Sequence, residues 1–395
     1  MSVEVRPLGV NCNLKCTYCY QQPQRDAHNH SRGYDMERML TRLADIGQPF
    51  TVFGGEPLLT RFEDLEKLFA EGFEKHGRTG IQTNATLITE KHIELFNRYN
   101  VSVGVSMDGP GALNDLRWAG TLERTRTATQ RSEEAINRLR AAGIQVSVIL
   151  TMHRLNASSE RLPQLLAWLD HLEEIGVRSV RTHVLEVEYE EIRERWVLSE
   201  EDQLRALIAL DEWWTDGKQI RLQTFRDIER LLTGQDKGVT CTWRACDPYT
   251  TAAVQGVEGD GRQTNCGRVN KEGIDFMKAE TPGFERYVAL YHTPQEVGGC
   301  NGCRYFAFCK GQCPGTALSG DWRNRSEYCA LWKALFERVE TRLVASGRKP
   351  LSLSRNLPQI ERGLVAAWGR GENPYIADLV TSMSKRTRTE GASDV

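Results

Sequence analysis

No stretch of the 395-residue chain approaches the roughly 18 uninterrupted apolar residues of a membrane-spanning helix, which excludes a helical membrane protein. The opening MSVEVRPLGV lacks the basic start and long apolar core of a secretory signal, so a cytoplasmic protein is expected. An excess of one charge is missing too. Lys and Arg total 51 against 53 Asp and Glu, a net charge of -2, which gives no electrostatic reason to expect nucleic acid or a membrane surface as partner. Cysteine is absent from 20 to 240, yet the chain holds eleven: Cys12, Cys16 and Cys19, then eight between 241 and 329. An odd number without an export signal argues against a disulfide framework and for metal binding or catalysis.

The first 200 residues alternate β-rich runs with amphipathic segments. Strands are expected at 2–9, 49–55, 80–85, 101–106, 145–150 and 177–185, and helices at 35–47, 61–77, 90–100, 132–143 and 159–176. Strand and helix at this interval imply parallel pairing by right-handed crossovers. Six such units make an α/β fold, an open or partial (β/α)6 barrel of TIM-like kind, with ligand chemistry on loops at the C-terminal strand ends. The expected organisation is a core over 1–200, bridging helices over 201–240, a cysteine-rich domain over 241–335 and C-terminal helices over 336–395. A hairpin is expected around 258–266, and the polar tail 384–395 is expected to be disordered.

Cys12-Asn-Leu-Lys-Cys16-Thr-Tyr-Cys19 follows the first strand. Three cysteines at CxxxCxxC spacing can hold three irons of a [4Fe–4S] cluster and leave the fourth iron open to a cofactor. Zinc, with His28 or His30 as fourth ligand, is the alternative. The three cysteines, with Tyr18 before the last, resemble the signature of the radical S-adenosylmethionine (SAM) superfamily. Gly54-Gly55-Glu56-Pro57 after the second strand is similar to that family's GGE motif; Thr83-Asn84 and Ser106-Met107-Asp108-Gly109 end the next two strands. The resemblance implies S-adenosyl-L-methionine as cofactor, cleaved to a 5′-deoxyadenosyl radical, with Tyr18, Gly54, Gly55, Glu56, Asn84, Ser106 and Asp108 around it. An arginine pairs the methionine carboxylate in relatives. Arg117, Arg124, Arg126 and Arg131, all expected in the loop after the fourth strand, are not separable by sequence; Arg126 is carried forward.

The second region runs Cys241, Cys246, Cys266, then Cys300-x2-Cys303-x5-Cys309-x3-Cys313, then Cys329. This resembles the SPASM extension of radical SAM peptide-modifying enzymes. The resemblance implies two further [4Fe–4S] clusters, one on Cys241, Cys246, Cys266 and Cys313, the other on Cys300, Cys303, Cys309 and Cys329. With the first, that makes three clusters and uses all eleven cysteines. Such clusters have no open site and suit electron transfer, which favours net oxidation of the substrate.

The implied activity is an oxidative change to a ribosomally made peptide, such as a C–C, C–O or thioether crosslink. The alternatives are sulfatase maturation (formylglycine formation), a small-molecule substrate, or a non-catalytic metal-binding module. In the sulfatase-maturing group an aspartate follows the third cysteine of the extension, whereas here Gly267 follows Cys266; Asp247 and Asp260 are nearby carboxylates. The expected partners are the peptide, an external electron donor and a separate leader-binding protein, since the chain begins at the first strand. The acidic run 185–196 is read as a solvated helix face rather than a docking site for a basic peptide. Packing is the expected role of 369–380, and the catalytic acid or base is not assigned.

Overall fold

In a computed structural model, residues 2–28, 33–247, 254–269, 281 and 283–390 are described. They divide into two compact units: 1–223 with 254–277, and 224–253 with 278–395.

The first unit is built on one open sheet of strands β1 (Ser2–Arg6), β2 (Phe50–Val52), β3 (Thr79–Thr83), β4 (Val101–Ser106), β5 (Val146–Met152), β6 (Ser179–Val184), β7 (Arg221–Leu222), β8 (Val254–Glu258) and β9 (Gln263–Thr264). Their order is β7-β6-β5-β4-β3-β2-β1-β8-β9, every pair parallel except β8 with β9. Along each strand the residues alternate. Val3, Val5, Val52, Val103, Val105, Val146 and Val148 belong to the buried core. Glu4, Thr51, Gln82, Ser147, Ser179 and Arg181, from five strands, line one cavity. Such a polar-lined concavity is what a partial barrel with helices on its outer face produces. The six expected strands are all present, and the loops at their C-terminal ends carry the motif residues.

Four expectations are corrected. The helix expected at 132–143 spans Leu122–Ala141, because Thr121 caps it by accepting from the backbone of Arg124. Arg124, Arg126 and Arg131 are therefore on that helix, and only Arg117 is in the loop. The core runs past 200: helix Glu200–Thr215 is tied to helix Leu162–Glu174 through Trp213 and the neighbouring Lys218, which both donate to Asp170, and β7 then extends the sheet. The hairpin at 258–266 forms as β8 and β9, but β8 also returns to the main sheet beside β1, since Arg6 binds both Glu258 and Thr264. In the second unit, the tail is not disordered as far as 390. Helix Ile376–Glu390 covers its first part, started by Asp236, whose carboxylate accepts from the backbone N–H groups of Ile376 and Ala377.

The second unit packs around aromatic side chains. Trp243 meets Trp332 and Phe336 edge-on with ring centres 5.5 and 5.6 Å apart, and Tyr305 stacks on Phe336 at 5.1 Å. These rings anchor helix Cys329–Ala345, which buries Leu335, Phe336, Val339 and Leu343. The segment 369–380 packs as expected: Arg244 lies over the Tyr375 ring, and Ile376 is buried. Among the described residues no helix is long and apolar enough to cross a membrane.

Candidate radical site at the strand ends

The loop after β1 places Cys12, Cys16 and Cys19 half-buried as free thiols. Its backbone is paired to the loop after β4: Lys15 N–H donates to Trp118 C=O at 2.7 Å and Thr17 N–H to Leu116 C=O at 2.8 Å. The Cys12 sulfur accepts from Leu14 N–H at 3.4 Å. Arg25, on the short helix Gln22–Asp26, donates to Val10 C=O at 3.0 Å and is close enough to Cys19 for the two charges to act on each other. Burial pushes the Cys12 thiol up to about 11 against the hydrogen bond from Leu14 N–H, and the Cys16 thiol up to about 12 against the nearby Arg117, with Cys19 raising both. Three acidifiable sulfurs crowded on one loop beside a guanidinium suit an electron-poor metal cluster that keeps them deprotonated. Among the described residues, no three His, Cys, Asp or Glu side chains converge as ligands of a single metal ion. His28 is exposed, and His30 lies outside the described residues.

The GGE loop after β2 presses directly on this loop. Gly55 N–H donates to Gly9 C=O at 2.9 Å and Glu56 N–H to Asn11 C=O at 2.8 Å. Gly54 has φ 131°, and a Cβ on Gly55 would lie 2.2 Å from the Asn11 carbonyl oxygen. The obstacle is backbone, so it cannot step aside. Gly55→Ala is therefore expected to displace the residues leading into Cys12 and cut reductive SAM cleavage by roughly tenfold or more, read as 5′-deoxyadenosine released. Glu56 is buried, and its carboxylate accepts from Leu58 N–H, the Thr83 hydroxyl and Asn84 N–H at 3.0, 2.6 and 2.8 Å. Burial pushes it up to about 7 against those three hydrogen bonds. It acts by joining the ends of β2 and β3. Asn84 is likewise turned to the cysteine loop, donating to Asn13 at 2.8 Å, and Ser106 accepts from Gln82 at 2.8 Å.

Asp108, fully buried, accepts from Tyr18 OH, from Arg117 at 3.0 Å and from Thr151 N–H at 2.9 Å, with His153 Nε2 3.6 Å away. Burial opposes its ionisation, but Arg117, the nearby His153 and the hydrogen bond from Tyr18 outweigh it and hold the carboxyl well below its ordinary range. The four arginine candidates thus have different settings. Arg126 is half-exposed and forks onto Asp115, whereas Arg117 is buried, with its Nε lacking a hydrogen-bond partner among the described residues.

Two further groups were not singled out by sequence. Arg25 had no local signal, because it reaches the thiols only through the turn that the helix makes. Glu186, two residues past β6, sits inside the acidic run but is buried and ion-paired with Arg268, just after Gly267. The exposed side of that run is solvated, with Glu190 and Glu191 paired to Arg193 and Arg195 of their own helix, Glu190–Trp196, while Leu185 and Ile192 are buried. Asp260 is an exposed turn residue paired with Arg262, and Asp247 is a buried residue of the second unit.

In the second unit, Cys300, Cys303, Cys309 and Cys329 line one cavity with Tyr305 and Phe336. Burial, then the thiolates of Cys300, Cys303 and Cys329, pushes the Cys309 thiol well up, and Cys300 is pushed up to about 12. This donor set fits a four-thiolate cluster for the same reason as the first. Cys241, Cys246 and Cys313 belong to this unit and Cys266 to the first.

An open parallel sheet with a three-cysteine loop at its first strand end and a GGE turn at its second defines a radical SAM core. Residues 7–169 match the Radical SAM superfamily, and the chain carries a domain of that superfamily. It is also related along most of its length to anaerobic sulfatase-maturating enzymes. It is 24% identical to the cysteine-type enzyme of Clostridium perfringens (strain 13 / Type A) over 87% of this chain and 97% of that protein. It is 26% identical to the serine-type enzyme of Klebsiella aerogenes over 53% of each. Among solved structures, "Native anSMEcpe with bound AdoMet and Cp18Cys peptide" has a TM-score of 0.69 at 20% identity, covering 87% of this chain and 98% of that one. Streptococcus suis SuiB bound to precursor peptide SuiA has a TM-score of 0.50 at 15% identity, covering 70% and 61%. The structural likenesses establish a shared fold.

Proposed function

We propose that the protein is a radical SAM enzyme that oxidises a side chain of a peptide or protein substrate. The cysteine loop pinned by Asp108, Tyr18 and Arg117 at the strand ends is the observation that carries this reading. Its relatives are named for acting on sulfatases, and two similar structures hold a peptide. When bound, a cluster on Cys12, Cys16 and Cys19 with SAM supplies hydrogen-atom abstraction, and clusters on Cys241, Cys246, Cys266 and Cys313 and on Cys300, Cys303, Cys309 and Cys329 supply one-electron transfer.

The chain's own residues supply the rest. Arg117 and Arg25 place positive charge beside the thiols. Asp108 and Glu56 hold the surrounding loops and exclude water from their bases. Glu186 is the carboxylate we assign to take the proton that the oxidised carbon gives up. The sulfatase-maturing position next to Cys266 is Gly267, where a Cβ would lie 3.3 Å from Tyr20 and 3.4 Å from Arg6, and no carboxylate stands there. Two readings of the product follow. An oxidative crosslink in a ribosomally made peptide fits the absence of that aspartate. Formylglycine formation is favoured by the near-complete coverage of the sulfatase-maturating relative. An external reductant serves both, and a leader-binding protein serves the first.

Anaerobic incubation with SAM, reductant, and either a peptide encoded beside the gene or a sulfatase peptide distinguishes the two readings. Loss of two hydrogens without an aldehyde reports a crosslink, and a hydrazide-reactive product reports formylglycine. Glu186→Gln is expected to release 5′-deoxyadenosine while losing at least about tenfold of modified peptide. Unmodified peptide of both kinds, with SAM cleaved normally, would sink the peptide reading.

A further inference from the structure

The polar face of the open sheet encloses a cavity of about 220 Å³, against the roughly 10–15 Å³ that holds a single water. Two glycines leave room for it. Gly80 and Gly104 stand on the face of β3 and β4 that carries Gln82 and Ser106. A Cβ on Gly104 would lie 2.1 Å from the Gln82 side-chain oxygen. The cavity reaches the strand ends at Phe53, just past β2, and at Gln82, which donates to Ser106 at 2.8 Å.

The polar groups of this cavity are sorted by strand. Ser147 on β5 is in register with Ser179 on β6, and Arg181 follows Ser179 on the same face. Two hydroxyls and a guanidinium thus form one patch of donors. Among the described residues, none of the three side chains makes an ion pair or hydrogen bond. A half-buried guanidinium with no partner is unfavourable, and a carboxylate is the group that meets its fork bidentately. The field at this wall is positive as well. His183, the next residue on that face, is held neutral by burial and then by the charges of Arg268 and Arg181. Glu4 on β1 is the one acidic residue lining the cavity, and it forms no ion pair with Arg181. Burial pushes its carboxyl up, with Arg6 opposing, so it repels an incoming anion less than an exposed carboxylate would.

We propose that this cavity is a specificity pocket, in which Arg181 with Ser147 and Ser179 takes the carboxylate of an Asp or Glu side chain of the peptide being modified. This rests on the reading that the substrate is a peptide or protein. Because the cavity meets the strand ends, the acidic residue is expected close in sequence to the residue that is oxidised.

The test is isothermal titration calorimetry on the anaerobically purified full chain, saturated with SAM and without reductant. The probes are acetyl-Gly-Glu-Gly-amide, its Gln counterpart, and acetyl-Gly-Gly-Gly with a free C-terminal carboxylate. The Glu probe is expected to bind at least about tenfold tighter than the Gln probe. That preference is expected to vanish in Arg181→Gln, which removes the charge, and in Ser147→Asp, which supplies a carboxylate from within. Melting curves establish that each variant is folded. Equal binding of the Glu and Gln probes to wild type, or binding of neither, overturns the proposal. So does a preference that persists in Arg181→Gln or, should that variant not fold, in Ser147→Asp. Tighter binding of the free-carboxylate probe than of the Glu probe overturns the side-chain assignment in favour of a peptide terminus. In a peptide that is modified, changing the acidic residue to its amide is expected to raise KM about tenfold in wild type and not in Arg181→Gln. If the Glu preference holds yet neither the peptide encoded beside the gene nor the sulfatase peptide is modified, the peptide reading has failed and the proposal falls with it, although Arg181 still binds a carboxylate.

Discussion

Cys16→Ala is expected to reduce 5′-deoxyadenosine formation to the uncatalysed background while leaving the fold intact. Cys16 is half-buried, so a smaller side chain costs little packing, and its neighbours Lys15 and Thr17 keep their backbone bonds to Trp118 and Leu116. What is lost is a ligand. With two sulfurs in place of three, the loop no longer holds a cluster with a single open iron, and chain-bound iron should fall by about a third if three clusters are present. The measurement is chromatographic quantitation of 5′-deoxyadenosine under reductant, with iron analysis and a melting curve on the same preparation. SAM cleavage at the wild-type rate would show that this loop is not the site.

Asp108→Asn has the largest expected effect on stability. The substitution keeps the shape but removes the charge that faces buried Arg117 at 3.0 Å and receives Tyr18 OH and Thr151 N–H. Removing one partner of a buried pair costs about 3–5 kcal/mol, because the other charge stays buried and uncompensated. The pH dependence has a definite sign. Asp108 titrates well below its ordinary range in the folded protein, so its contribution is fully present above the unfolded value, about 3.9. It is lost progressively as pH falls from there toward the lower folded value. The stability gap between wild type and Asp108→Asn should therefore be constant from neutral pH to about 5 and shrink below about 4. Melting curves across that range check it, and equal stability at pH 7 would refute the pairing.

Much of the site was legible from spacing. The three-cysteine loop, the GGE turn and the residues ending β3 and β4 occur at successive strand ends, and the alternation of apolar runs with helical periods placed all six strands. Cysteine spacing cannot say which charges are buried together. Arg117 and Arg126 look alike in sequence, and a helix cap at Thr121 separates them by lifting Arg126 onto an exposed face. Glu186 was hidden in an acidic run where Glu190 and Glu191 are solvated, and its burial depends on Arg268 arriving from a segment 82 residues away. The hairpin signal at 258–266 was correct locally, yet nothing local showed that β8 would lie beside β1.

The sequence alone determined the ligand types, their grouping and the order of elements, because these depend on periodicity and on residues close in the chain. Tertiary structure alone decided which carboxylate faces which guanidinium, which arginine lines the cavity and which stays in water. Those outcomes depend on desolvation and on partners far apart in sequence, and both exist only once the chain has closed around them.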